Sequence, residues 1–297
     1  YTPFTPRPMI NQSSEGAASA NNSNSLYWQE ETYLTYVKDI NKHHINAMAG
    51  MSWQEYNYTK FEASDSKYID DFYGYYNLGS GTNRPSVGND YDKWAMNSYF
   101  LRLAYSYDNK YMATVTGRYD GSSKFGQNNK YAFFPSVGLG WMISNEDFLK
   151  DNQVVSNLKL RVSYGTSGND RIDADLYQKL YRVNSSRPAG WGEVSHYYYE
   201  FYNSKYVYNP DVKWETTITR NIGLDFGFFK ERLSGTIDVY WNTVKDLLVP
   251  SDIPGYTGYT KLMTNVGQTS NRGIELQLNA WLVETKDFSL NATFNIG

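Results

Sequence analysis

Tyr99-Phe-Leu-Arg-Leu-Ala-Tyr-Ser-Tyr107, followed at once by Asp108-Asn-Lys110, decides the fold class. One face of this ribbon carries Tyr99, Leu101, Leu103, Tyr105 and Tyr107; the other carries Phe100, Arg102, Ala104 and Ser106. Alternation of this kind marks a strand with one apolar and one polar side. The pattern recurs outward along the chain. Leu158, Leu160, Val162 and Tyr164 alternate with Lys159, Arg161 and Ser163. Ile222–Phe228, Leu233–Asn242 and Ile274–Leu282 repeat it, and 25–38, 44–58, 111–119, 132–144 and 288–297 are weaker members. The sum is about ten strands of roughly 9–15 residues, longer than globular strands and long enough for a tilted crossing of a bilayer.

The links between these strands sort by length. Asp108–Lys110, Lys230–Arg232, Thr285–Asp287 and Asp39–His43 are short. The polar stretches 59–93, 120–131, 169–213 and 247–270 are long, and short alternates with long along the whole chain. The short-side member 145–157 is an exception and is expected to hold a helical turn at Asn145–Lys150. A soluble β-sandwich or β-solenoid has no reason to sort its loops by side, whereas an outer-membrane barrel has tight periplasmic turns and long outer loops. The charges agree. Arg102, Arg161, Asp225, Asp238 and Glu275 fall on the polar faces, where a dry core would cost several kcal/mol each and a wet interior costs little. The expected fold is therefore all-β: an antiparallel transmembrane outer-membrane β-barrel segment, apolar side to lipid. Trp28, Trp53, Trp141, Trp241, Tyr99 and Tyr107 suit interfacial girdles, although Tyr and Trp are also good strand formers.

Composition narrows the function. The 297 residues hold 28 basic and 31 acidic side chains, a net charge of −3, which argues against a nucleic-acid partner. With no cysteine, a disulfide framework, a thiolate nucleophile and a thiolate-ligated metal are excluded. The start, Tyr1-Thr-Pro-Phe, has no signal-peptide character, and Asn291–Gly297 stops in mid-alternation. The expected organisation is a piece of a longer protein, with 1–24 as part of a preceding extracellular loop and 25–297 as barrel.

Several strings then carry a resemblance. Gly117-Arg-Tyr-Asp-Gly-Ser-Ser-Lys-Phe-Gly126, Tyr131-Ala-Phe-Phe-Pro-Ser-Val-Gly-Leu-Gly-Trp141, Leu158–Asn169, Asn209-Pro-Asp-Val-Lys-Trp-Glu-Thr217 and Asn271-Arg-Gly-Ile-Glu-Leu276 occur in this order. Together they resemble the C-terminal barrel half of SusC/RagA-like TonB-dependent outer-membrane transporters of Bacteroidetes, well over 95–297 and loosely over 25–60. The resemblance implies a barrel of roughly 22 strands with a plug. It also implies a TonB box, a SusD-like surface lipoprotein as lid, and import of oligosaccharides or peptides driven by TonB–ExbB–ExbD. The chain departs from the family pattern in holding neither plug nor TonB box.

Candidate site residues lie in the long stretches. Tyr73, Tyr75 and Tyr76 form one aromatic cluster; Trp191, Tyr197, Tyr198, Tyr199 and Tyr202 belong to another. Such faces stack on sugar C–H faces or peptide side chains, and the same residues suit contact with a lid protein or loop packing. Gly117–Gly126, which contains the turn signal Asp120-Gly121, reads as a strand-to-loop turn. Gly138, Gly140, Gly223 and Gly227 fall on inward faces and leave room there. His43 and His44 lie in a short turn, where solvated histidines are commoner than metal ligands. No cofactor, no metal and no catalytic residue is expected. A rim hydrolase using His196 beside Glu193 and Glu200, and a soluble glycan-binding β-domain, are the competing readings.

Overall fold

The computed structural model describes residues 16–68, 76–81, 85–150, 152–179, 181–191, 194–201, 206–257 and 259–297, with backbone alone for 181–191, 194–201 and 257. Its strands are β1 (Gly16–Ile40), β2 (His43–Tyr68), β3 (Ser86–Tyr107), β4 (Tyr111–Ser122), β5 (Tyr131–Met142), β6 (Val155–Asn169), β7 (Tyr181–Trp191), β8 (Val194–Phe201), β9 (Tyr206–Val207), β10 (Glu215–Phe228), β11 (Leu233–Lys245), β12 (Leu248–Asp252), β13 (Lys261–Asn265), β14 (Gln268–Glu284) and β15 (Ser289–Ile296). Ten of them form one sheet in the order β1-β2-β3-β4-β5-β6-β10-β11-β14-β15, while β12-β13-β9 and β7-β8 form two small sheets. From β3 to β15 neighbouring strands of the main sheet pair antiparallel. No helix among the described residues is long and apolar enough to cross a membrane, which says nothing of strands.

The chain divides into two compact units, Tyr1–Gln29 with Gln54–Ala95, and Glu30–Trp53 with Met96–Gly297. Within the first, Tyr56 stacks on Trp94 at 5.8 Å and Lys93 pairs with Glu55 at 3.0 Å. Asp65 is buried there and accepts from the Ser66 N–H at 2.7 Å. Everything below concerns the second unit unless stated.

Alternation places side chains as expected. Leu160, Leu224, Ile237, Leu276 and Ile296 are successive cross-strand partners on one face. That face is uncovered: Leu101 is 59% exposed, Leu139 54% and Ile274 63%. None of Leu101, Leu160, Leu224 and Leu276 is buried. An apolar wall left bare over so many strands is unsuited to water and suited to hydrocarbon.

The strands are longer than the sequence suggested. β1, β2 and β3 run 25, 26 and 22 residues, so much of 59–93 is ladder rather than loop. The pairing continues through polar residues because backbone bonds, not side-chain hydrophobicity, extend a sheet once its partner strand is in place. The strand-to-loop turn expected within Gly117–Gly126 is present, but it falls after its Asp120-Gly121 signal. Both residues lie inside β4, with Gly121 opposite Tyr131, and the chain turns only beyond Ser122. Asp120 accepts from Arg118 Nε at 2.7 Å, so its carboxylate serves the strand instead of a turn. The stretch 247–270 likewise holds β12 and β13 rather than plain loop.

The buried core sits at the end of the sheet where the long links emerge. Phe125, Phe134, Ile172, Leu176, Val212, Trp214 and Met263 form it, drawn from four segments far apart in sequence. Trp214 packs on Phe125 at 5.1 Å and edge-on to Phe134 at 5.6 Å, and its Nε1–H donates to the Lys130 carbonyl at 3.1 Å. Polar pins surround it. Asn209 Nδ2 donates to the Met263 carbonyl at 2.8 Å, Asn265 Nδ2 to the Lys213 carbonyl at 2.8 Å, and Ser122 Oγ to Asp170 at 2.9 Å.

The opposite end is tied by its turns. Asp108 and Asn109 take φ of 52° and 53° with Lys110 N–H bonded to the Tyr107 carbonyl at 2.9 Å, a hairpin turn that Asp and Asn tolerate. His43 and His44 open β2, where His43 Nδ1 meets the Tyr105 hydroxyl at 2.7 Å and His44 meets Asp39 at 2.5 Å. The expected helical turn is present at Glu146–Lys150, where Lys150 N–H bonds the Glu146 carbonyl at 2.9 Å. Glu146 docks this link on its neighbour, accepting from Tyr111 Oη at 2.6 Å, Trp141 Nε1 at 3.0 Å and Lys110 Nζ at 3.1 Å. The Tyr111 phenol first, then Trp141 and Lys110, hold its carboxyl down from 4.5 to about 2. A folded-state value below the unfolded one gives docking that is complete above about pH 4.5 and lost as pH falls towards 2. Trp141 fluorescence, taken as the difference from Glu146→Gln, is expected to stay flat down to pH 4 and to titrate only below it. A midpoint near 4.5 would refute the docking.

Candidate functional site

The polar face carries the site chemistry. Parity puts Lys159, Arg161 and Ser163 of β6 on it, with Asn221, Gly223, Asp225 and Gly227 of β10 and Thr236, Asp238 and Tyr240 of β11. Arg161 is central. Its Nη2 donates to Asp225 Oδ1 at 2.7 Å and to Asp238 Oδ1 at 3.2 Å, and its Nε donates to Asp225 Oδ2 at 2.9 Å. The planar fork thus clamps β10 and β11 across two strands. Gly223 makes room for it: a Cβ there would stand 2.6 Å from Arg161 Nη2 and 2.6 Å from Asp238 Oδ1. Gly138 by contrast faces open space. Inward glycines therefore serve two ends, one filled by a neighbour's guanidinium and one left empty. Glu275 stands beside Asp238 in register, so Asp225, Asp238 and Glu275 gather around the clamped Arg161. The arrangement offers carboxylate acceptors and guanidinium donors for hydrogen bonding. Among the described residues no group of three or more His, Asp or Glu side chains is gathered to hold a metal ion.

The aromatic residues expected to contact ligand or lid divide between described and undescribed segments. Tyr76 is 82% exposed in the first unit. Tyr73, Tyr75 and Tyr202 lie outside the described residues, as does Glu193. Trp191, Tyr197, Tyr198 and Tyr199 lie on the β7–β8 hairpin, where Trp191 pairs with Val194, Tyr198 with Asn184 and Tyr199 with Val183. His196 is on the same hairpin opposite Ala189. The sequence reading missed Trp214, Phe125 and Val212 as the anchor of the long links. The signal was present in Asn209–Thr217, an apolar–polar mixture with no period of two or 3.6, which is what a strand-entry segment packed inside loops looks like.

Comparison with known proteins fits this geometry. A family model described as TonB dependent receptor-like, beta-barrel matches residues 1–296. The chain is 37% identical over 273 residues to TonB-dependent receptor SusC of Bacteroides thetaiotaomicron, covering 89% of this chain and 26% of that protein. It is 34% identical over 287 residues to TonB-dependent receptor P26 of Formosa agariphila, covering 94% of this chain and 28% of that protein. Among solved structures, the RagAB peptide importer in the open-open state superposes with a TM-score of 0.79 at 28% identity, over 99% of this chain and 31% of that one. The chain spans about a quarter to a third of the length of these relatives. It therefore belongs to the TonB-dependent receptor family, a family of transporters, and forms a SusC/RagA-like stretch of the outer-membrane β-barrel wall.

Proposed function

We propose that the protein to which this wall belongs actively imports oligosaccharides across the outer membrane. In this reading a plug outside this chain connects it to TonB–ExbB–ExbD, a SusD-like lipoprotein closes its outer mouth, and the chain itself has no catalytic role. The supporting observation is a sheet with a bare apolar outer face and a polar inner face clamped at Arg161, joined to the likeness to SusC over 89% of the chain. Peptides are the second reading, favoured by the likeness to the RagAB peptide importer. Residues 1–24, whose last nine residues open β1, are assigned to a preceding extracellular loop and 25–297 to barrel. Tyr73, Tyr75, Tyr76, Trp191, Tyr197, Tyr198, Tyr199 and Tyr202 are assigned to contact with ligand or lid.

The test is uptake of labelled oligosaccharides and labelled oligopeptides by cells with and without the complete receptor gene. Uptake of one class is expected to vanish on deletion and on collapse of the proton gradient. Joint replacement of Tyr198 and Tyr199 by alanine is expected to weaken that uptake by about tenfold. Unchanged uptake of both classes in the deletion strain would overturn the reading.

A further inference from the structure

On β6, β10, β11 and β14 the outward face is apolar towards the short turns and basic in one place towards the long links. Tyr164, Arg220, Trp241 and Arg272 are successive cross-strand partners on β6, β10, β11 and β14. They share parity with Val162, Ile222, Val239 and Ile274, so they stand on the lipid side. All four are exposed, and the Arg220 guanidinium carbon lies 5.9 Å from the centre of the Tyr164 ring. Further along β11, towards the long links, Lys245 has the same parity and is exposed. Thr216 to Arg220, Trp241 to Lys245 and Gln268 to Arg272 hold the outward positions of this patch; three are basic and none is acidic. The nearby Asp246 is taken by Lys213 at 3.0 Å. Among the described residues Arg220, Lys245 and Arg272 form no ion pair.

Depth follows from counting along the strands. Arg220 lies eight positions from Phe228, and Trp241 eight from Leu233, which border the short turn between β10 and β11. The same spacing separates Tyr99 from Tyr107, Tyr111 from Tyr119 and Phe133 from Trp141. Eight residues of a strand tilted as in such barrels span about 20 Å of bilayer, so the two rows mark the two edges of the hydrocarbon. The basic patch is on the outer edge, where the long links emerge. Arg220 and Arg272 are two strands apart, about 10 Å, with Trp241 between them. Guanidinium forks at that spacing match phosphates carried on a sugar headgroup.

We propose that Arg220, Lys245 and Arg272 form a binding site for the phosphorylated headgroup of an outer-leaflet glycolipid, with Tyr164 and Trp241 lying against its upper chains. The proposal rests on the outer-membrane placement of the wall and is independent of what the receptor imports. Its test uses the complete receptor, purified, delipidated and titrated with bisphosphorylated lipid A, dephosphorylated lipid A and phosphatidylglycerol, with bound lipid read by native mass spectrometry. Bisphosphorylated lipid A is expected to bind on the order of a hundredfold tighter than the dephosphorylated form. The triple variant Arg220→Gln, Lys245→Gln, Arg272→Gln should abolish that preference, while Arg220→Lys with Arg272→Lys should keep most of it. Heat-modified gel mobility verifies that the barrel is intact. If the triple variant does not fold, Arg220→Gln and Arg272→Gln singly should each weaken binding about fivefold. Unaltered binding in these variants, or equal binding of phosphatidylglycerol, overturns the proposal; uptake of nutrient is a separate readout.

Discussion

Arginine in place of Ile237 is expected to destabilise the barrel by about 2–4 kcal/mol, while arginine at the adjacent Thr236 should cost close to nothing. Ile237 lies midway between Leu233 and Trp241 on the outward side of β11, opposite Leu224 and Leu276. Its substitution puts a cation at the middle of the hydrocarbon. Thr236 points the other way, into the wet interior beside Asp225, its partner on β10. Two neighbours one peptide apart thus report opposite solvents, and the contrast controls for local strand propensity. Equilibrium unfolding in phospholipid vesicles measures both. Equal costs at the two positions would refute the assignment of faces on which the functional reading stands.

Removal of the Trp214 ring is the second large effect. Trp214→Ala empties a site that is 6% exposed, between Phe125 and Phe134, and orphans the Lys130 carbonyl that its Nε1–H reaches. Aromatic-to-alanine changes in a packed core cost about 3–5 kcal/mol. The loss should be local, because the core joins the links to one another and touches the main sheet at the outer end of β5, through Phe134. Hydrogen exchange is expected to accelerate at 123–130, 209–214 and 261–265 and to stay slow in the β10–β11 ladder. A change of less than about tenfold in those links would show that they hold together without this cluster.

The main sheet was legible because a wall between lipid and water leaves a period-two record in every strand. Leu158–Tyr164 and Ile222–Phe228 could be read without any partner in view, and the parity of the short and long links gave the two ends. Less could be read where backbone pairing outruns that record. The polar ends of β1, β2 and β3 carry no apolar stripe, so their length was invisible. Loop-end packing was hidden for another reason. Phe125, Ile172 and Val212 are single apolar residues in polar surroundings, and only the fold brings them together. The inward clamp of Arg161 on Asp225 and Asp238 was half legible: parity gave the face, but the choice of partners needed the register.

The main sheet keeps its strands in chain order, apart from the excursions β7–β9 and β12–β13 that leave it and return to the same edge. For a protein threaded into a membrane this has a kinetic meaning. Each new strand meets the unpaired edge its predecessor has just provided, so no segment must cross another or wait for a distant partner. A growing ribbon can enter the bilayer hairpin by hairpin, with its turns left behind on the side of entry, and the aromatic-rich excursions are the portions that must be carried across.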